Sequence, residues 1–96
     1  MVRTVLEGEV LPGNESALIE AFGAARPPAG LLHSELLRDS RSPTRWRIET
    51  LWESRDALDR MRREGVPEGV RMFRAAGVEP MLSVFTVVAT LAPDDR

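Results

Sequence analysis

Residues 44 to 52, TRWRIETLW, alternate without a break. Trp46, Ile48, Thr50 and Trp52 fall on one side of an extended chain, and Arg45, Arg47, Glu49 and Leu51 on the other. Successive side chains of a strand point to opposite faces, so this stretch calls for a sheet with one buried face that carries both tryptophans of the chain. A helix start follows at once, with Ser54 placed to cap it.

The same period organises the flanking segments. VRTVLEGEVL, residues 2 to 11, puts Val2, Thr4, Leu6, Gly8 and Val10 on one side, and Arg3, Val5, Glu7 and Glu9 on the other. Pro12-Gly13 is turn chemistry, and Asn14 is expected to cap a helix running to about Ala25. Leu18, Phe22 and Ala25, flanked by Ala21, form its apolar stripe, and Pro27-Pro28 ends it. LLHSELLRD, residues 31 to 39, is a second strand, joined to the tryptophan strand by a hairpin through SRSP. After Ser54, a helix buries Ala57, Leu58 and Met61 until Gly65 breaks it. Pro67 suits the first turn of a further helical segment, with Val70, Phe73 and Ala76 inward and Gly77 as C-terminal cap. MLSVFTVVATL is the last strand, and residues 93–96 are expected to fray.

The order β-α-β-β-α-β in one domain over residues 1–96 is that of an α+β, ferredoxin-like fold. It predicts a four-stranded antiparallel sheet with its helices on one face. The inward layer is expected to hold the two tryptophans on the third strand, and Phe85, Val87, Ala89 and Leu91 on the fourth. The opposite face then mixes Arg3, Glu7, Arg47 and Glu49 with Val5, Leu51, Val84 and Val88. Such a face is too apolar for water and too charged for a core. A second copy packed sheet against sheet accommodates both, and a chain this short gains from the added burial. A homodimer is therefore expected.

A net charge of −2 argues against a nucleic-acid partner. The aromatic residues face the helices, which speaks against RNA recognition by the same strand order. Without cysteine there is no disulfide or thiolate metal site, and one histidine, His33, excludes a multi-histidine metal site within one chain. No stretch approaches the roughly 20 apolar residues of a membrane span. The charged start MVRTVLEGEV is unlike a signal peptide, so a cytoplasmic protein with no membrane partner is expected.

With the order and the tryptophans placed, the chain resembles the antibiotic biosynthesis monooxygenase family of dimeric α/β-barrel proteins. The resemblance is carried by Pro12-Gly13 after the opening strand, Gly30 before a strand ending LLRD, Ser42-Pro43, the LWES of Leu51 to Ser54, and Gly77 to Pro80 before a valine-rich strand. It implies a sheet-to-sheet homodimer, each subunit keeping a cavity between sheet and helices. It also implies oxidation of polycyclic phenolic metabolites by molecular oxygen, with no metal or flavin cofactor. On that reading Trp52 matches the family's tryptophan and walls the slot. The anthrone-oxidising members carry an asparagine four positions earlier, where this chain has Ile48. The haem-degrading members carry an asparagine on the first strand and a histidine on the second helix, and neither is present here.

The candidate catalytic residues are thus Trp52 and His33, the latter because imidazole titrates near neutrality. The alternative for His33 is a subunit seam or an exposed edge, since the alternation of its strand does not say which side faces inward. The candidate substrate-binding residues are Trp46, Ile48, Trp52, Met61 and Phe73, each of which could instead be plain core. Arg71 and Arg74 read as solvated, with the option that one reaches over the pocket mouth to an anionic substrate. The rival to a monooxygenase is a non-catalytic small-molecule binder, or a stabilising dimer, on the same scaffold.

Overall fold

The structure, a computed structural model, describes residues 1–93. The expected fraying at 93–96 lies, from residue 94 on, outside the described residues. The elements run β1 (Val2–Glu9), α1 (Glu15–Ala24), β2 (Leu31–Arg38), β3 (Arg45–Trp52), α2 (Arg55–Arg63), α3 (Glu68–Ala75) and β4 (Met81–Thr86). The sheet order is β2-β3-β1-β4 with every pairing antiparallel, so the ferredoxin-like order holds. No helix among the described residues is long and apolar enough to cross a membrane.

The alternation of β1 and β3 is realised as read. Val2, Thr4 and Leu6 are buried opposite Trp52, Thr50 and Ile48, and the helices cover this face. Two apolar clusters form beneath them. One gathers Phe73, Leu18, Val10, Trp46 and Ile48. The other gathers Val2, Trp52 and Leu58, with Met61 and Val84 against it. Phe73, Leu18 and Val10 are wholly inaccessible, and Leu58 is nearly so. At about 25 cal/mol per Å² of apolar surface removed from water, these residues supply much of the drive to fold.

The fourth strand differs from expectation in length and in facing. β4 stops at Thr86, and its register pairs Thr4 with Val84 and Val2 with Thr86. Leu82, Val84 and Thr86 therefore share the helix side, while Phe85 stands on the open face, 53% exposed, opposite Arg3. Ala89 and Leu91 lie beyond the strand and are exposed. The reason is that VFTVVATL is apolar on both parities, so only pairing with β1 decides which side turns inward.

Caps and turns show where local chemistry wins. Ser54 caps α2 by accepting from Ala57 N–H at 3.1 Å, with Asp56 in the first turn and arginines in the last. Gly77, at φ +77°, ends α3 in a Schellman arrangement. Its N–H donates to the Arg74 carbonyl at 3.0 Å, and Val78 N–H donates to that of Phe73 at 2.9 Å. Asn14 does not cap α1 with its side chain, because Pro12–Asn14 form a 3-10 turn that leads the chain directly into the helix. In the β2–β3 turn, Asp39 accepts backbone N–H bonds from Arg41 at 2.8 Å and Ser42 at 3.1 Å. These bonds hold its carboxyl below the ordinary aspartate range.

Candidate functional site

The segment around Gly65 and Pro67, between α2 and α3, joins the helices and the sheet in lining a cavity of about 490 Å³. That volume lies within the ~300–1,000 Å³ typical of small-molecule sites. The cavity separates the two apolar clusters: Leu6, Ile48 and Met72 face it from one, Trp52, Leu58 and Met61 from the other. Phe22 and Ala25 close one wall from the end of α1.

Of the expected binding residues, Trp52, Ile48 and Met61 line this space. Trp46 and Phe73 do not; both are buried in the larger cluster. Trp46 sits opposite Arg38 across the β2–β3 pair, and the Arg38 guanidinium lies 5.7 Å from its ring centroid, covering it at the sheet edge. Its Nε1 is buried with no partner among the described residues.

His33 does not reach the cavity. It pairs with Leu51, whose side chain belongs to the open face, so the sheet itself stands between the imidazole and the cavity. Its Nε2 lies 3.4 Å from Glu35 on the same exposed surface. A residue on that face cannot move a proton inside its own chain's cavity, which corrects the expectation for His33 as a base there.

The polar lining was not among the sequence candidates. Thr4, Ser34 and Thr50 put hydroxyls on the cavity floor. Trp52 Nε1 donates to Thr4 Oγ1 at 3.0 Å, and Ser34 and Thr50 share a hydrogen bond of 2.9 Å. The signal available in the sequence was two threonines at inward positions of otherwise apolar strand faces. At the mouth, Arg26 and Arg62 join Arg71, with Glu64 and Glu68 beside them. Arg71 lies 3.9 Å from Glu68, whereas Arg74 is outside the lining and held by Glu79 through two contacts of 2.9 Å. Among the described residues, no group of three or more histidine and carboxylate side chains gathers as a metal site.

The model of a family described as antibiotic biosynthesis monooxygenase matches residues 1–67. No curated protein matches the chain. Among solved structures, a Deinococcus radiodurans protein named after the same family superposes with a TM-score of 0.72 at 14% identity, covering 98% of this chain and 99% of that one. A variant of SnoaB, a cofactor-independent oxygenase from Streptomyces nogalater, gives 0.70 at 20% identity, covering 96% and 97%. An MhuD variant with two manganese protoporphyrin IX molecules bound per active site gives 0.71 at 23% identity, covering 97% and 100%. At these identities the likeness to solved structures establishes the fold.

Proposed function

Because the chain belongs to the antibiotic biosynthesis monooxygenase family, we propose that it is a cofactor-independent monooxygenase acting on a polycyclic phenolic metabolite in the cavity beneath α2 and α3. The observation that carries this reading is the cavity itself: about 490 Å³, mostly apolar, floored by the sheet, with Trp52 in its wall. An electron-rich phenolate or carbanion reacts with oxygen directly. The protein then has to hold the flat ring system, let a proton leave and stabilise the oxyanion that forms. Trp52, Ile48 and Met61 supply the apolar slot on this reading, and the arginines at the mouth favour an anionic substrate arm. The likeness to SnoaB supports an oxygenase. A porphyrin is a poorer fit, since no histidine lines the cavity to meet a haem iron.

The test is oxygen uptake with anthrone as the probe, followed by an oxygen electrode and by quinone absorbance. Uptake matched by quinone formation is expected, and Trp52→Phe should lower turnover at least severalfold in protein that remains folded. A second reading, a binder that kept the scaffold and has no turnover, is favoured by Ile48. Where the family's anthrone-oxidising members are expected to carry an asparagine, this cavity has a buried aliphatic side chain. Thermal stabilisation by anthrone with no oxygen uptake would decide for the binder.

The open sheet face completes the proposal. Phe85 and Met81 are exposed there beside Leu51 and Val5, within a lattice of charges: Arg47 contacts both Glu7 and Glu49 at 3.2 Å, and Arg3 lies 3.6 Å from Glu49. A homodimer joined through this face buries the apolar residues and leaves the ion pairs satisfied within each chain.

A further inference from the structure

Polar groups on the cavity floor stand in one row. Register sets Ser34 opposite Thr50, and Thr50 opposite Thr4, so three hydroxyls stand side by side across β2, β3 and β1. All three line the cavity. Directly opposed residues on neighbouring strands have Cβ atoms about 5 Å apart, close enough for two hydroxyls to converge on one ligand atom.

Among the described residues, the hydrogen bonds in this row leave donors over. A hydroxyl carries one hydrogen and two lone pairs, whereas an indole N–H only donates. The bond from Trp52 Nε1 to Thr4 Oγ1, 3.0 Å, therefore occupies a lone pair and leaves the Thr4 hydrogen unused. Ser34 and Thr50 share a single bond of 2.9 Å, which uses one of their two hydrogens. Thr4 and Thr50 are only 8% and 7% exposed, so what meets their hydroxyls is whatever fills the cavity.

We propose that Thr4, accepting from the Trp52 indole, and Thr50, accepting from the Ser34 hydroxyl, form a paired donor for one ketone or phenolate oxygen of a polycyclic ligand, and so determine which edge of the ligand lies against the cavity floor. This rests on the reading of the cavity as a site for a phenolic polycycle, and it names the group that is recognised. Two preorganised donors in a site shielded from bulk water bind an oxyanion more strongly than a neutral carbonyl. A hydrocarbon edge in the same place would strand both hydrogens, which is how a buried donor discriminates against ligands lacking the acceptor. Ile48, two residues from Thr50 on the same face, adds no competing polar group.

Equilibrium dialysis under anaerobic conditions tests the proposal with two probes, anthrone and dihydroanthracene, which differ by a carbonyl in place of a methylene. The wild-type protein should bind anthrone about tenfold more tightly than the hydrocarbon. Thr50→Val and Thr4→Val should bring that ratio close to one while leaving hydrocarbon affinity unchanged or improved, and Thr4→Ser should retain it. Thr4→Val also removes the Trp52 acceptor; should that variant fail to fold, Thr50→Val carries the test. If the wild type binds both probes equally, or the valine variants weaken both probes alike, the donor assignment is overturned while the cavity remains a polycycle site. Binding of neither probe overturns both.

Discussion

The two tryptophans show what a single residue can owe to its neighbours. They are the same side chain, on the same strand and the same face, and both are at most 5% exposed. Their polar ends differ: Trp52 Nε1 is bonded to Thr4, and Trp46 Nε1 is buried without a partner among the described residues. Replacing Trp46 by Phe removes an unpaired donor along with some packing, so the loss should be small, about 1 kcal/mol. Trp52→Phe removes a satisfied bond and leaves Thr4 unpaired, and should cost about 1–2 kcal/mol more. Urea unfolding of the two variants measures the difference; equal losses would show that the Thr4 bond adds nothing. Alternation in TRWRIETLW was enough to place both rings under the helices. It could not say which would find an acceptor, because Thr4 arrives from β1, at the other end of the sequence. The same limit hid the hydroxyl row, which exists only once three strands are in register.

At the scale of elements, each strand or helix end is decided by a few close contacts. β2 begins against the first turn of α2, where the Gly30 carbonyl accepts from Glu53 N–H at 2.9 Å. Gly30 has φ +88°, and a Cβ there would lie 2.5 Å from the Ala57 Cβ, a rigid atom on a capped helix. Gly30→Ala should therefore destabilise the fold by about 2 kcal/mol or more, lowering Tm by roughly 8 °C or more for a domain of this size. Gly13→Ala is the control, since nothing lies within 4 Å of a Cβ there and its φ is not positive. A differential scanning calorimetry trace with both variants unfolding together would contradict this account of the β2–α2 junction. Helix and strand positions, the Ser54 cap and the Gly77 stop were legible because each rests on chemistry within a few residues. The facing of β4 was not. Its valines and Phe85 offer two apolar parities, and the register with β1 chooses between them over a long sequence separation.

For the whole molecule, that choice of facing bears on assembly. With Phe85 turned outward, the open face carries an aromatic side chain in the row His33, Leu51, Arg3, Phe85, and Met81 is 78% exposed two rows along. Of the residues whose alternation predicts an apolar open face, Val84 lies on the helix side, and Phe85 stands on the open face instead. A stable interface buries about 800 Å² on each partner, which a four-stranded sheet face can supply. The ion pairs on this face are exposed and weak individually, so the apolar residues should dominate association. Sedimentation velocity at micromolar concentration should accordingly find two chains together. Phe85→Asp would place a carboxylate in the seam and should weaken association at least tenfold. Ile19→Asp alters an equally exposed residue of α1, on the helix layer, and should leave the dimer intact. Because the cavity opens on the helix side of the sheet, dissociated Phe85→Asp protein should retain most of its affinity for a polycyclic ligand. A wild-type protein that sediments as one chain, or an Ile19→Asp variant that dissociates as readily as Phe85→Asp, would move the interface off the open face.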